Sequence, residues 1–216
     1  MAIHVEPDGS VLVDAPESAS EAQVRTAVAV RARWVHGHIT AIRLRLAHVL
    51  PREYVSGESL LYLGRRYRLK VVVSTDGTRG VRLRGGYVEV VTGKRSPALV
   101  RSALTDWYRE RAKVVLAARL EEVAASLRWV RTPPLVRFQT MKVQWGSCSP
   151  AGRLTLNPHL VKAPRECIDY VLLHELCHLR EHNHGKKFYR MLDAHMPRWR
   201  ERKSRLDNLA ENLLNS

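Results

Sequence analysis

Cysteine is scarce in this 216-residue chain: Cys148, Cys167 and Cys177 are an odd number at unrelated spacings. No disulfide framework follows, and no paired CxxC knuckle for a structural metal. A reducing, cytoplasmic setting is the expectation. No run of about 18 apolar residues is present, so no membrane span is expected. The first ten residues carry Glu6, Pro7 and Asp8 and lack the basic and apolar regions of a secretory signal. A Walker-type glycine loop is also missing. Acidic residues are outnumbered, 21 Asp and Glu against 36 Lys and Arg, leaving a formal charge of +15. Such an excess points to an acidic partner, nucleic acid foremost. Yet the cations are scattered, among them Arg43, Arg45, Arg65, Arg66, Arg68, Arg82, Arg84, Arg109, Arg111 and the set from Lys186 to Arg205. No aromatic-interleaved RNA-binding signature accompanies them, and a solvated arginine-rich surface accounts for them equally well. Nothing in the composition speaks to oligomeric state.

Hydrophobic residues make up 45% of the chain, enough for a real core. The chain divides near Ser96, into a β-rich region over 1–95 and a metal-dependent catalytic domain over 96–216. In the first region, Ile3–Val5 and Val11–Val13 flank Asp8-Gly9, a hairpin signal. Helical spacing covers 19–35. The stretch Ile39–Val49 alternates like a strand at Ile42, Leu44 and Leu46 but also suits a helix. Strands are predicted over Ser59–Leu63, Arg66–Ser74, Val81–Leu83 and Tyr87–Val91, with Tyr67, Leu69, Val71 and Val73 on one face. No acid, base or nucleophile cluster appears before Ser96.

Ser96-Pro97 opens a long helix, Ser as N-cap and Pro at the first helical position. An apolar stripe through Leu99, Ala103, Trp107, Val114, Ala117, Leu120, Val123 and Leu127 carries it to about Arg128. Thr132-Pro133-Pro134 breaks it. Val136–Gln144 reads as a strand with Leu154–Leu156 as its partner, joined by a turn-rich connection over 145–152. Pro164 starts the next helix, which Asn183 and Gly185 end. Two closing helices follow, one through Phe188 and Leu192, one from Pro197.

His174-Glu175-Leu176-Cys177-His178 lies within the helix begun at Pro164. Histidines at i and i+4 sit one turn apart on one helical face and can converge on one tetrahedral metal. Glu175 points about a third of a turn away, where it reaches a water on the metal without taking a ligand position. A catalytic zinc keeps three protein ligands and one open position. Spacing alone leaves the third ligand open. His182 would lie two turns from His174 on a straight helix, too far at about 1.5 Å per residue. His184 lies past the helix end, and His174-x3-His178-x5-His184 matches metzincin ligand spacing, although Glu181 stands where a metzincin has glycine. A carboxylate on the following helix is the rival, with Asp193 nearest.

HELCHLREHNHGKKFY, preceded by QWGSCSPAGRLTLNPHLVKAPRECIDYVLL, resembles the YgjP-like metallopeptidase family, a relative of the SprT-like zinc metallopeptidases. Trp145-Gly146-Ser147-Cys148, Asp169-Tyr170, the HExxH segment and Asn183-His184-Gly185 carry the match. GESLLYLGRRYRLKVVV and the long helix after Ser96 extend it over most of the chain. Gln144 and Tyr189 depart from it, standing where the family often has arginine and tryptophan. The resemblance implies zinc held by His174, His178 and His184, with Glu175 as catalytic glutamate. It also implies an α+β fold: the β-rich N-terminal half, then a minimal zincin (gluzincin-like) core of a long helix, small sheet, HExxH helix and closing helices.

The expected function is a zinc-dependent hydrolase, foremost a metallopeptidase acting on a peptide or protein. Metal-bound water would be deprotonated by Glu175. An extended substrate would pair with a strand edge at Arg153–Leu156 or Val136–Met141. One alternative is a nucleoside triphosphate pyrophosphohydrolase using the same site, with Lys186, Lys187 and Arg153 near the phosphates. Another is a nucleic-acid-associated protease acting on DNA-bound protein. Cys148 reads either as a thiol that caps the metal or as a packed loop residue, and Cys177 as core. His159, His195, Tyr170 and Tyr189 are candidate transition-state hydrogen-bond donors among which the sequence does not choose.

Overall fold

The structure is a computed structural model and describes residues 1–5, 11–16, 18–47, 51–141 and 144–214. The Asp8-Gly9 turn, the end of the segment drawn at Ile39–Val49 and residues 142–143 of the segment drawn at Val136–Gln144 lie outside the described residues. The frame is mixed α+β, with six α-helices and three small sheets among the described residues. Strands β1 (Ala2–Val5) and β2 (Val11–Asp14) form an antiparallel hairpin. Helix α1 (Glu21–Val30) opens with a capping box, in which Ser20 Oγ accepts from the Gln23 amide and Gln23 Oε1 accepts from the Ser20 amide. A break at Arg31 separates it from α2 (Ala32–Ala47), so the segment predicted as one helix is two. The ambiguous stretch after Ile39 continues α2 to Ala47.

Four strands make the second sheet: β3 (Ser59–Tyr62), β4 (Arg65–Val73), β5 (Gly80–Arg84) and β6 (Tyr87–Thr92), in the order β3-β4-β6-β5. Both hairpins are antiparallel, but β4 and β6 pair in parallel, with Leu69 opposite Val88 and Val71 opposite Val90. Leu69 is buried as expected, whereas Val73 at the strand end is exposed. At the β3–β4 turn Gly64 has φ +75, and a Cβ there would lie 2.8 Å from the Cα of Pro164. Only glycine fits both the backbone and the approach.

Helix α3 (Pro97–Ala125) is the spine. Pro97 takes the first helical position as expected, although the Ser96 hydroxyl makes no capping bond. The buried positions are Val100, Leu104, Tyr108, Ala112, Leu116, Leu120 and Ala124, every fourth residue. Four residues overshoot one turn by about 40°, so the buried line winds roughly 240° round the helix along its length. The early positions, Val100 and Leu104, pack with Leu60, Leu69, Val88 and Val90 of the second sheet. The later ones join a larger core with Leu154, Leu156, Ile168, Leu172, Phe188 and Leu206. This winding displaces two residues assigned to the stripe from the sequence: Leu99 is 42% and Val114 62% exposed.

The third sheet has the order β7-β9-β8. Strand β7 (Val136–Phe138) runs parallel to β9 (Leu154–Leu156), and β8 (Gly146–Cys148) antiparallel to it. The segment read as a turn-rich connection therefore contains a strand. Strand β9 lies in the middle, so it offers no free edge for a substrate; β7 and β8 are the edges. A 3-10 helix (Pro158–Lys162) leads into α4 (Arg165–Cys177), followed by α5 (Lys186–His195) and α6 (Trp199–Leu214). Among the described residues no helix is long and apolar enough to cross a membrane.

Candidate metal centre

Helix α4 is held by its buried face, with Cys167, Ile168, Val171, Leu172, Leu176 and Cys177 all in the core. A two-pronged ion pair anchors it to α3: Arg119 Nε and Nη2 donate to Asp169 Oδ1 and Oδ2 at 2.9 and 2.8 Å. Burial pushes the Asp169 carboxyl above its ordinary value, against the pull of Arg119. The helix ends at Cys177, earlier than Asn183 and Gly185 suggested, and His178 is its C-cap.

Beyond the cap the chain turns without left-handed backbone at Glu181, the position where a metzincin has glycine. Arg180 and Glu181 donate their amides to the Cys177 carbonyl at 3.0 Å. The Glu181 carbonyl in turn contacts His178 Nδ1 at 3.0 Å. A carbonyl oxygen only accepts, so that ring nitrogen carries the hydrogen and Nε2 of the neutral ring keeps its lone pair.

The turn brings His184 back onto the helix. His174 Nε2 lies 3.3 Å from His178 Nε2 and 3.0 Å from His184 Nε2. One ligand atom from each ring falls within 4.8 Å of the others. A tetrahedral ion with nitrogen at 2.0–2.1 Å sets its ligands about 3.3 Å apart, so the three imidazoles fit a divalent metal. Phe188 is fully buried beneath them, its ring centroid 4.6–4.9 Å from each imidazole. His182 is exposed at the cleft rim and outside the cluster. Asp193, the rival carboxylate, faces away, accepting from Trp199 Nε1 at 2.8 Å and Arg200 Nη1 at 2.7 Å.

Glu175 is 5% exposed, and burial raises its carboxyl to about 8. Gly146 of β8 presses against it: a Cβ there would stand 2.8 Å from both Cγ and Oε1 of Glu175. Asn157 sets the strand's approach. Its Nδ2 donates to the carbonyls of Met141 and Gln144 at 2.8 and 3.0 Å, and its amide to that of Trp145 at 2.9 Å.

These groups open on a cleft of about 690 Å³. Of the four proposed hydrogen-bond donors, Tyr170 and Tyr189 line it, both stacked on Trp199 at 6.1 and 5.6 Å. His195 lies edge-on to Trp129, and His159 sits in the 3-10 helix, where burial lowers it to about 3; neither reaches the cleft. Cys148 lines the cleft, and burial together with the Glu175 charge raises its pKa, keeping it a thiol. Cys177 is core. Lys186, Lys187 and Arg153 do not line the cleft; Lys203 and Asp207 do. The N-terminal region, to which the sequence assigned no chemistry, supplies Ile3, Val5, Leu12, Trp34 and His38 to the cleft wall. Gly146, Asn157 and Trp199 likewise had no local signal beyond the Trp-Gly-Ser-Cys string, because their roles arise from contacts distant in sequence.

Convergent imidazoles on a helix end, backed by a buried carboxylate in an α+β frame, define a metal-dependent hydrolase. The model of the YgjP-like metallopeptidase domain matches residues 1–209. The chain belongs to that family and is a metal-dependent peptidase by membership. Among solved structures it is similar to the metallopeptidase zymogen abylysin of Pyrococcus abyssi, at 28% identity, covering 43% of this chain and 92% of that one, with a TM-score of 0.40. No curated protein matches.

Proposed function

We propose a zinc peptidase whose metal ligands are His174, His178 and His184 and whose general base is Glu175, set in a minimal zincin core. The observation that carries this reading is the approach of three ring nitrogens to 3.0 and 3.3 Å beside a carboxylate that is itself no part of the cluster. Zinc, when bound, supplies Lewis-acid polarisation of the scissile carbonyl and acidifies water. Glu175 then accepts the proton of the attacking water and returns it to the leaving amine. A base near neutrality suits that exchange, and burial keeps Glu175 out of the ordinary carboxylate range. Gly146 leaves the carboxylate its space. The outer edge of β8, which borders the cleft, is the strand edge along which an extended peptide would add. Tyr170 and Tyr189, which line the same cleft, would be the hydroxyl donors to the developing oxyanion.

Hydrolysis of casein by the zinc-loaded chain tests this reading. Glu175→Gln is expected to lose about 10²–10⁴-fold in activity while keeping its metal by atomic absorption. His178→Ala and His184→Ala should lose the metal; His182→Ala should not. Casein hydrolysis by Glu175→Gln at the wild-type rate would remove Glu175 from the mechanism. The phosphoanhydride alternative is not favoured, since Lys186, Lys187 and Arg153, the cations assigned to its phosphates, stand outside the cleft and Lys203 within it is paired with Asp207.

A further inference from the structure

One face of the β3-β4-β6-β5 sheet is covered by α3 through Val100 and Leu104; the other bears a cationic array. Strand register sorts it into rows. Ser59, Arg68, Tyr87 and Arg84 stand side by side across all four strands. One step along, about 7 Å away, come Lys70, Glu89 and Arg82. On the other side is Arg66, opposite Leu61. Five cations thus share this face with one carboxylate. Glu89 is 5% exposed and held ionised by Arg82 and Lys70, at 2.8 and 3.2 Å. That pairing engages Lys70 and Arg82, leaving their row at +1, and leaves Arg66, Arg68 and Arg84 with no carboxylate partner among the described residues. Tyr87, in the middle of the arginine row, is 42% exposed.

The face is also shaped. A hollow of about 450 Å³ lies between Ser59, Arg66, Arg68, Tyr87 and the Gly85-Gly86 turn. Arg66 belongs equally to a groove of about 800 Å³ that runs beneath α6 past Arg200 and Arg205. The two hollows therefore share Arg66, while in the second groove Arg200 and Arg205 are paired with Asp193 and Glu166 and Glu201 joins the lining.

We infer that this sheet face binds single-stranded nucleic acid, with Arg66, Arg68 and Arg84 on phosphates and Tyr87 stacked on a base. Unpartnered guanidiniums along a groove suit a polyanion, whose phosphates they neutralise with release of counterions. An exposed aromatic flanked by them on a sheet suits an unstacked base. A duplex keeps its base faces buried against each other and cannot use Tyr87. An acidic protein would use the charge but not require the ring. Binding here is independent of the histidine cluster, so it stands or falls apart from the peptidase reading.

Fluorescence anisotropy of the full chain with a fluorescein-labelled single-stranded 20-mer, titrated at several salt concentrations, decides the matter. Arg66→Glu/Arg68→Glu/Arg84→Glu should weaken binding more than tenfold and flatten the salt slope by roughly 2. Tyr87→Ala should weaken it about tenfold, and Tyr87→Phe should restore wild-type affinity. Arg128→Glu/Arg131→Glu/Arg137→Glu makes the same charge change on exposed positions off the sheet and should bind like wild type. Thermal midpoints verify that each variant is folded. The inference is overturned if the wild type does not bind or binds the duplex 20-mer as tightly. It is equally overturned if the Arg128 set weakens binding as much as the sheet set, or if Tyr87→Ala leaves affinity unchanged.

Discussion

Gly146 has no side chain because Glu175 occupies the space where one would go. Gly146→Ala would push the carboxylate aside rather than delete it. Misplacement of a reacting group by about 1 Å costs roughly 10²-fold in rate, so the variant should lose activity on that scale while its metal content stays unchanged. Casein hydrolysis and atomic absorption on the same sample check both halves. Lys162 offers a different residue-scale test. It is 4% exposed, with Nζ donating to the Leu213 carbonyl at 2.9 Å and lying over the Tyr108 ring. Burial, aided by the Arg52 charge, lowers its pKa from 10.5 to about 7. Between those values the unfolded chain binds more protons than the folded one, so stability attributable to this residue rises with pH from about 7 and is smallest below it. The denaturation midpoint of wild type should therefore climb between pH 7 and 9.5 relative to that of Lys162→Met. Parallel midpoints across that window would contradict the lowered pKa.

At the scale of elements, the histidine helix was readable because its information is local. His174 and His178 meet through helical period alone, and Asn183-His184-Gly185 marked the return of the chain. What the sequence did not disclose depends on partners far along the chain. The parallel pairing of β4 with β6 has no local signature, and without it Arg68, Tyr87 and Arg84 cannot be seen as one row. Strand β8 is three residues long and exists only against β9. The break at Arg31 interrupts a pattern that is continuous in composition. The winding of α3 explains why Leu99 and Val114 were placed wrongly: a fixed stripe assumes one flat partner, and this helix has two. Leu116 lies fully buried in the larger core. Leu116→Ala should destabilise the fold by about 2–5 kcal/mol, read from urea denaturation, whereas Val114→Ala should change it by less than about 0.5 kcal/mol.

For the molecule as a whole, the α+β class, the order of the helices after Ser96 and the convergence of the three histidines were legible in advance. The part played by residues before Ser96 was not, since nothing in their composition points to the cleft they border. Ile3, Val5, Leu12 and Trp34 line the same cavity as Tyr170, Tyr189 and the imidazoles. That placement acts as a sieve. A loose thread fits a cavity of about 690 Å³ walled from both halves of the chain, whereas a globule would have to come apart to bring a scissile bond against the imidazoles. Reduced and carboxymethylated lysozyme should therefore be cut and native lysozyme left whole, a contrast visible on a gel. A chain built this way would discriminate by the foldedness of what it meets before any side chain is recognised.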